Sequence, residues 1–394
     1  MKIGIVAGEK SGDYLGAELI KAFKQRYPHA EFVGLCGPLM QEQGGKTLAE
    51  MDKISIMGIA GAVAGLFDIL SIRHTIKKHM LSWQPDVFVG IDVPDFNLGL
   101  EIKLKEAGIP TVHYVSPTVW AWRGKRINKI KRAVNLMLTL FPFEQAYYQQ
   151  HNTPVKYVGH PLARAITNWQ VDESFVSLLR SSSEQHGNSI EEKKMIALLP
   201  GSRMSEVSRL APIMLEACCK LAQSSPSLEF VIPAANQKLY SFLADQLKAY
   251  DAPVTLVLGH SRDALALCHI AVLASGTAAL EAALFAKPMV VMYKVSKFNE
   301  WYAAQTMVVE HFSMPNHLTN PPVVPELIQS AATADNLIAE LERLMQDQQH
   351  YQSMKNALAA IAPELDEDSG QLACDAIESL LKEIKGSVKT QSRS

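Results

Sequence analysis

The chain has 394 residues, 48% hydrophobic and 20% charged, enough for two domains with sizeable cores. Its formal net charge of -2 excludes a general electrostatic affinity for nucleic acid, so an anion has to be met by a local patch. Five cysteines without a C-x-x-C pair (Cys36, Cys218, Cys219, Cys268, Cys374) argue against a disulfide framework, and four of them lie in apolar or helical stretches that suit buried thiols.

From the first residues, short apolar runs alternate with helical patterns. KIGIVAG, EFVGLCG (31–37), DVFVGID (86–92), TVHYVSP (111–117), LMLTLFPF (136–143) and VKYVGHP (155–161) read as strands. Continuous apolar strands separated by helices predict a parallel sheet covered on both faces. The first turn, A-G-E-K-S-G-D at 7–13, leaves a strand and opens a helix, where such folds hold phosphate, yet Glu9 and Asp13 would repel a diphosphate. Charge returns too early, at Glu9 and Lys10, for a signal peptide, which predicts a cytoplasmic chain.

The fourteen uncharged residues ISIMGIAGAVAGLF (54–67) are too few to cross a bilayer, which needs about 20. They predict either a glycine-broken buried segment or an apolar surface at a membrane interface, with Arg73, His74, Lys77, Lys78 and His79 following. At the end of the 86–92 run, G-I-D-V-P-D-F-N brings out Asp92, Asp95 and Asn97. Asp95 is placed either to deprotonate a sugar hydroxyl or to cap the next helix. The basic run RGKRINKIKR (123–132), after Trp120 and Trp122, is either a solvated helix face or a seat for an anionic group. His113 and His160 near strand ends read as hydrogen-bonded structure, and no His/Cys cluster has zinc spacing.

Residues 169–194 are polar and serine-rich, a short helix plus linker between an N-terminal domain (1–168) and a second domain (195–333). There the strand pattern restarts with KMIALLPGSR, LEFVIPAA, VTLVLGH, IAVLASG and PMVVMYK. The halves predict two doubly wound α/β domains facing a cleft. Gly201, Ser202 and Arg203 follow one strand, and Ser275, Gly276 and Thr277 another; each turn opens a helix, which suits a nucleotide diphosphate. Glu281, one turn into the second helix, is placed to accept both hydroxyls of a ribose. Two capped helices with a surface glutamate are the plainer alternative. Asp366-Glu367-Asp368 reads as a solvated cap, residues 334–386 as C-terminal helices, and 387–394 as a frayed tail.

In order, AGEKSGD, MGIAG, VGIDVPDFN, HYVSPTVWAWR, LLPGSR and LASGTAALE resemble the lipid-A-disaccharide synthase family from the first strand to about residue 320. The resemblance implies an inverting, metal-independent glycosyltransferase of the two-domain B-type fold with no cofactor. Its donor would be UDP-2,3-diacylglucosamine and its acceptor the 6-hydroxyl of 2,3-diacylglucosamine 1-phosphate, giving a β-1,6 disaccharide and UDP. It also implies peripheral attachment to the cytoplasmic face of the inner membrane and a homodimer with exchanged C-terminal segments. The C-terminal domain would hold the nucleotide, so Glu9, Ser11 and Asp13 would bond acceptor hydroxyls or order the loop, and Asn97 would meet the acceptor. Asp95 would be the base, and Asn316 would lie near the nucleotide. Ala62, Ala64 and Gly65 make the apolar patch smaller than such relatives suggest. UDP-N-acetylglucosamine 2-epimerases share this architecture and are the rival enzyme class; a non-catalytic nucleotide-sugar binder is the third.

Overall fold

The computed structural model describes residues 1–51, 64–122, 124–185, 194–250, 253–295 and 309–391. The chain divides into two compact units, Met1–Pro161 with Leu365–Ser394, and Leu162–Glu364.

In the first unit, β1 (Lys2–Ala7), β2 (Glu31–Leu35), β3 (Gly45–Thr47), β4 (Val87–Ile91), β5 (Thr111–Tyr114), β6 (Leu136–Thr139) and β7 (Val155–Tyr157) form one sheet, ordered β3-β2-β1-β4-β5-β6-β7. All its pairings are parallel. Side-chain alternation explains why the runs are apolar throughout. Ile3, Ile5 and Ala7 join Val89, Ile91, Val112 and Leu138 on one face, while Val6 and Phe88 meet Ile76, Met80, Leu100 and Leu104 on the other.

The second unit repeats the plan. β8 (Lys194–Leu199), β9 (Leu228–Ala234), β10 (Val254–Leu258), β11 (Ile270–Ala274), β12 (Met289–Tyr293) and β13 (Glu326–Ile328) form a parallel sheet ordered β10-β9-β8-β11-β12-β13. Its long helix Met204–Ser224 buries Val207, Leu210, Ala211, Met214, Cys218 and Leu221, the three-and-four spacing of one helical face. Strand order reverses between β1 and β4 and between β8 and β11. The carboxyl ends of such strand pairs are where open α/β sheets bind ligands.

Each sheet carries one strand the apolar runs did not reveal: β3 and β13 have three residues each and lie at sheet edges. The C-terminal helices also divide differently from the expected single block. Ala334–Gln346 and Gln348–Ala359 belong to the second unit, whereas Ser369–Gln391 returns to the first. There Ala373, Cys374, Ile377 and Leu381 enter the same cluster as Ile3 and Leu19. Each large apolar side chain so buried contributes about 1.5–3 kcal/mol. At the rim Arg26 meets Asp375 at 2.5 Å and Glu378 at 3.1 Å. This helix runs to Gln391, into the stretch expected to be a tail.

Most of the apolar stretch 54–67 lies outside the described residues. Beyond it, the helix Ala64–Trp83 buries Ile72, Ile76 and Met80 and exposes Leu70. No described helix is long and apolar enough to cross a membrane. Cys36, Cys218, Cys268 and Cys374 are buried, free thiols.

Candidate functional site

Each unit has its own reversal point and its own candidate residues. In the first unit Ala7 pairs with Ile91, so the turns after β1 and β4 are neighbours. Glu9 is the extended residue before the helix Lys10–Arg26, and Glu9 and Ser11 are exposed. Asp95 is the second residue of the helix Pro94–Glu106, with its side chain 81% exposed.

The turn that presents Asp95 is strained. Asp92 and Val93 both have positive φ, at 53° and 41°, a conformation that a β-branched residue rarely adopts and that costs about 1–3 kcal/mol. Asn97 holds it: fully buried, its Nδ2 donates to the carbonyls of Asp92 at 2.8 Å and Ile91 at 3.3 Å. Asn97 thus braces the turn that carries Asp95 through its Nδ2, while its buried Oδ1 has no hydrogen-bond partner among the described residues. Behind it Glu101 accepts from His113 Nδ1 at 2.7 Å, both side chains fully buried. Burial raises the Glu101 pKa, and His113 opposes that shift. A Cβ at Gly90 would lie 2.2 Å from Glu101 Oε1, so this close approach requires glycine.

Asp13 is likewise turned inward. It is 3% exposed, and its two oxygens accept the N–H groups of Leu39 at 3.0 Å and Met40 at 3.1 Å, at the start of the helix Pro38–Glu42. Asp13 thereby orders the 37–40 turn, the second of the two roles expected of it.

The basic run is only partly a solvated face. The helix Ile127–Ala133 buries Ile127, Ile130 and Ala133, but Arg126 Nη2 donates to Asp95 Oδ1. Just before the basic run in sequence, Trp120 packs edge-on against Phe143 at 4.8 Å, and Phe143 stacks with Phe141 at 5.7 Å. Glu144 lies beneath, accepting from Trp120 Nε1 at 3.1 Å, its carboxyl pushed up to about 7 by burial.

In the second unit, the carboxyl ends of β8, β9, β10 and β11 enclose a cavity of about 490 Å³ lined by Gly201, Ser202, Arg203, Ser275, Gly276, Thr277 and Glu281. The structure thus brings together every expected nucleotide residue but one. Gly276 has φ 157° and ψ -158°, a region essentially open to glycine alone, and the helix Thr277–Leu284 that follows has no side-chain cap. An uncapped helix start of this kind suits an anion, through its first amides and the positive end of its dipole. At the other turn, Gly201 has φ 124°, and the amides of Ser202 and Arg203 donate to Glu206 Oε2 at 3.2 and 3.3 Å.

Glu281 accepts from Arg262 Nε at 2.9 Å, and the Arg262 guanidinium lies 5.2 Å over the Trp169 ring. Arg262 escaped the sequence reading; its signal is the Gly259-His260-Ser261-Arg262 turn closing a strand as the other two turns do. The expected residue outside the cavity is Asn316. It is 4% exposed; its Nδ2 donates to Val324 O and Glu326 Oε1, and its Oδ1 accepts from the amides of Val323 and Val324. With its amide capacity filled, Asn316 staples the 323–326 segment. No group of three or more His, Cys, Asp or Glu side chains among the described residues is arranged to hold a metal ion.

Two parallel doubly wound units, each with ligand turns at its reversal point, define the two-domain B-type glycosyltransferase fold. Solved structures agree. The glycotransferase of kitacinnamycin matches with a TM-score of 0.61 at 14% identity, over 96% of this chain and 98% of that one. UDP-GlcNAc 2-epimerase from Neisseria meningitidis, bound to UDP-GlcNAc, matches with 0.60 at 14% identity, over 97% and 100%. Likeness at that identity shows the fold and does not separate transferase from epimerase.

Sequence separates them. The profile of the lipid-A-disaccharide synthetase family matches residues 3–381. The lipid-A-disaccharide synthase of Hahella chejuensis is 42% identical over 393 residues, 99% of this chain and 96% of that protein. The Aeromonas hydrophila enzyme is 42% identical over 387 residues, 97% and 98% of the two chains. The chain belongs to the lipid-A-disaccharide synthase family.

Proposed function

We propose that the chain transfers 2,3-diacylglucosamine from its UDP donor to the 6-hydroxyl of 2,3-diacylglucosamine 1-phosphate. The observation that carries the chemistry is Asp95, an exposed carboxylate on a strained, internally braced turn at the reversal point of the first sheet. Asp95 takes the proton of the acceptor hydroxyl as its oxygen bonds to the donor anomeric carbon. The bond from that carbon to the β-phosphate oxygen breaks on the opposite face, inverting the centre, and UDP leaves with the electron pair. Developing charge on the phosphate is met by the uncapped start of Thr277–Leu284 and by Arg203; fixed donors of this kind are each worth about 2.7–4 kcal/mol. Glu281, oriented by Arg262, takes the ribose, and Glu9 and Ser11 take acceptor hydroxyls.

We place the enzyme at the cytoplasmic face of the inner membrane. Support comes from the helix Ala64–Trp83, where exposed Leu70 stands with His74 and Lys78 off the buried face. The packing of Ser369–Gln391 on Lys10–Arg26, made between two copies, would give the homodimer with exchanged helices.

The test is UDP release from UDP-2,3-diacylglucosamine with and without the acceptor, for wild type and Asp95→Ala. Acceptor-dependent release that the variant loses, while still binding UDP, is the expected result. Turnover of plain UDP-N-acetylglucosamine without acyl dependence would move the chain to the epimerases.

A further inference from the structure

Resting on the assignment of the second-unit cavity to a UDP-sugar, we propose that Glu206 is a resident competitor for the diphosphate. Its carboxylate fills the amide turn after β8 when the donor is absent, and exchanges with a phosphate when the donor binds.

The partners of Glu206 are those a phosphate oxygen would choose. Oε2 accepts the amides of Ser202 at 3.2 Å and Arg203 at 3.3 Å, and Oε1 lies 3.6 Å from Arg203 Nη1. The seat is shaped to it: a Cβ at Gly201 would stand 2.5 Å from Oε2. Yet the grip is loose. N–H···O bonds cluster at about 2.9–3.0 Å, so both amide bonds are long, and the Arg203 side chain is 78% exposed and able to swing. The companion helix start at Gly276–Thr277 has no side-chain cap, so the occupant is confined to one of the two anion turns.

A diphosphate approaching the uncapped turn meets, at the other, a carboxylate of its own sign. Binding requires Glu206 to leave the amides of Ser202 and Arg203 and turn to solvent, and the phosphate then takes those donors and the Arg203 guanidinium. When UDP has to depart, the returning carboxylate reoccupies the turn. No bond is made or broken; the exchange trades one anion for another and weakens the hold on product.

The plainer role of Glu206 is to cap the helix Met204–Ser224 from its third position. Glu206→Gln separates the two, because a glutamine carbonyl accepts the same amide bonds without the charge. UDP binding is measured by calorimetry on wild type, Glu206→Gln and Glu206→Ala, with uridine as the phosphate-free probe. Competition predicts UDP binding about three- to tenfold tighter in Glu206→Gln, tighter also in Glu206→Ala, and uridine binding unchanged in both. Equal or weaker UDP binding in Glu206→Gln, or weaker binding in a folded Glu206→Ala, overturns the competitor. Failure of wild type to bind UDP overturns the assignment of the cavity, and the competitor with it.

Discussion

Arg126 Nη2 donates to Asp95 Oδ1, and the two side chains are buried in opposite measure, 15% exposed for the guanidinium and 81% for the carboxylate. The cation is thus packed into the protein and the anion held out from it. That anchors one carboxylate oxygen and leaves the group open to a substrate. Arg126→Ala is expected to lower kcat about tenfold or more through lost positioning, with UDP affinity unchanged. Arg126→Lys restores part of it. Steady-state kinetics beside UDP calorimetry read both, and unchanged kcat in the alanine variant would remove Arg126 from this role.

Arg262 holds Glu281 by a 2.9 Å bond, and hydrogen bonds to charged groups are worth about 1.5–3 kcal/mol. Arg262→Ala should weaken UDP binding about tenfold while leaving pyrophosphate binding as it was, because the ribose partner is lost and the phosphate turns are intact. A proportional loss for both ligands would place Arg262 on the phosphates instead.

Gly90 faces the buried Glu101–His113 pair, with 2.2 Å between a would-be Cβ and Glu101 Oε1. Gly90→Ala overpacks a site where the neighbour is a hydrogen-bonded carboxylate with nowhere to move. The expected cost is about 3 kcal/mol, seen as a thermal midpoint lower by roughly 5–10 °C. A wild-type midpoint would show that the pair can shift aside.

Glu144 carries a pH signature. Its folded pKa is raised from 4.5 to about 7, chiefly by burial, so between those values the folded chain binds a proton that the unfolded chain releases. The stability this provides is complete below pH 4.5 and is lost as pH rises through 7. Glu144→Gln cannot ionise, and it keeps one acceptor oxygen where Trp120 Nε1 and the Phe141 amide use two, so it carries a penalty that does not depend on pH. On top of that constant penalty it should gain on wild type by roughly 3 kcal/mol between about pH 5 and pH 8. Taking the difference between the two proteins cancels His160, whose own pKa burial lowers to about 4. Parallel stability curves across this range would show that Glu144 does not titrate there.

Amides and guanidinium groups are the donors proposed for the diphosphate, so turnover should persist in excess EDTA. Loss of activity restored by magnesium would show that a metal ion joins them.

How far the sequence could be read follows from what each residue does. Apolar runs disclosed every strand of five residues or more, because a strand buried on both faces has no polar alternation to hide in. β3 (GKT) and β13 (ELI) have no apolar run around them, whereas the equally short edge strand β7 was visible because its run continues through the buried Val158. The phosphate turns at 201–203 and 275–277 were visible as glycine-bearing strand ends. Asp13, Asn97 and Asn316 were found in the right neighbourhood, but a polar side chain looks the same in sequence whether it faces a ligand or its own backbone. All three bond to backbone groups, since a buried strand end or loop leaves amides and carbonyls that need partners. Arg262 and Glu206 were missed for the converse reason: their partners, Glu281 and the Ser202 amide, are set by folding and by no motif.

The return of Ser369–Gln391 to the first unit has a consequence for how the chain is made. A ribosome delivers residues 1–161 first, yet Ala373, Cys374, Ile377 and Leu381 belong to the core of that unit. The whole of Leu162–Glu364 must be synthesised before those four side chains exist. Until then the nascent first sheet presents an uncovered apolar groove beside Lys10–Arg26, a natural target for a holding chaperone.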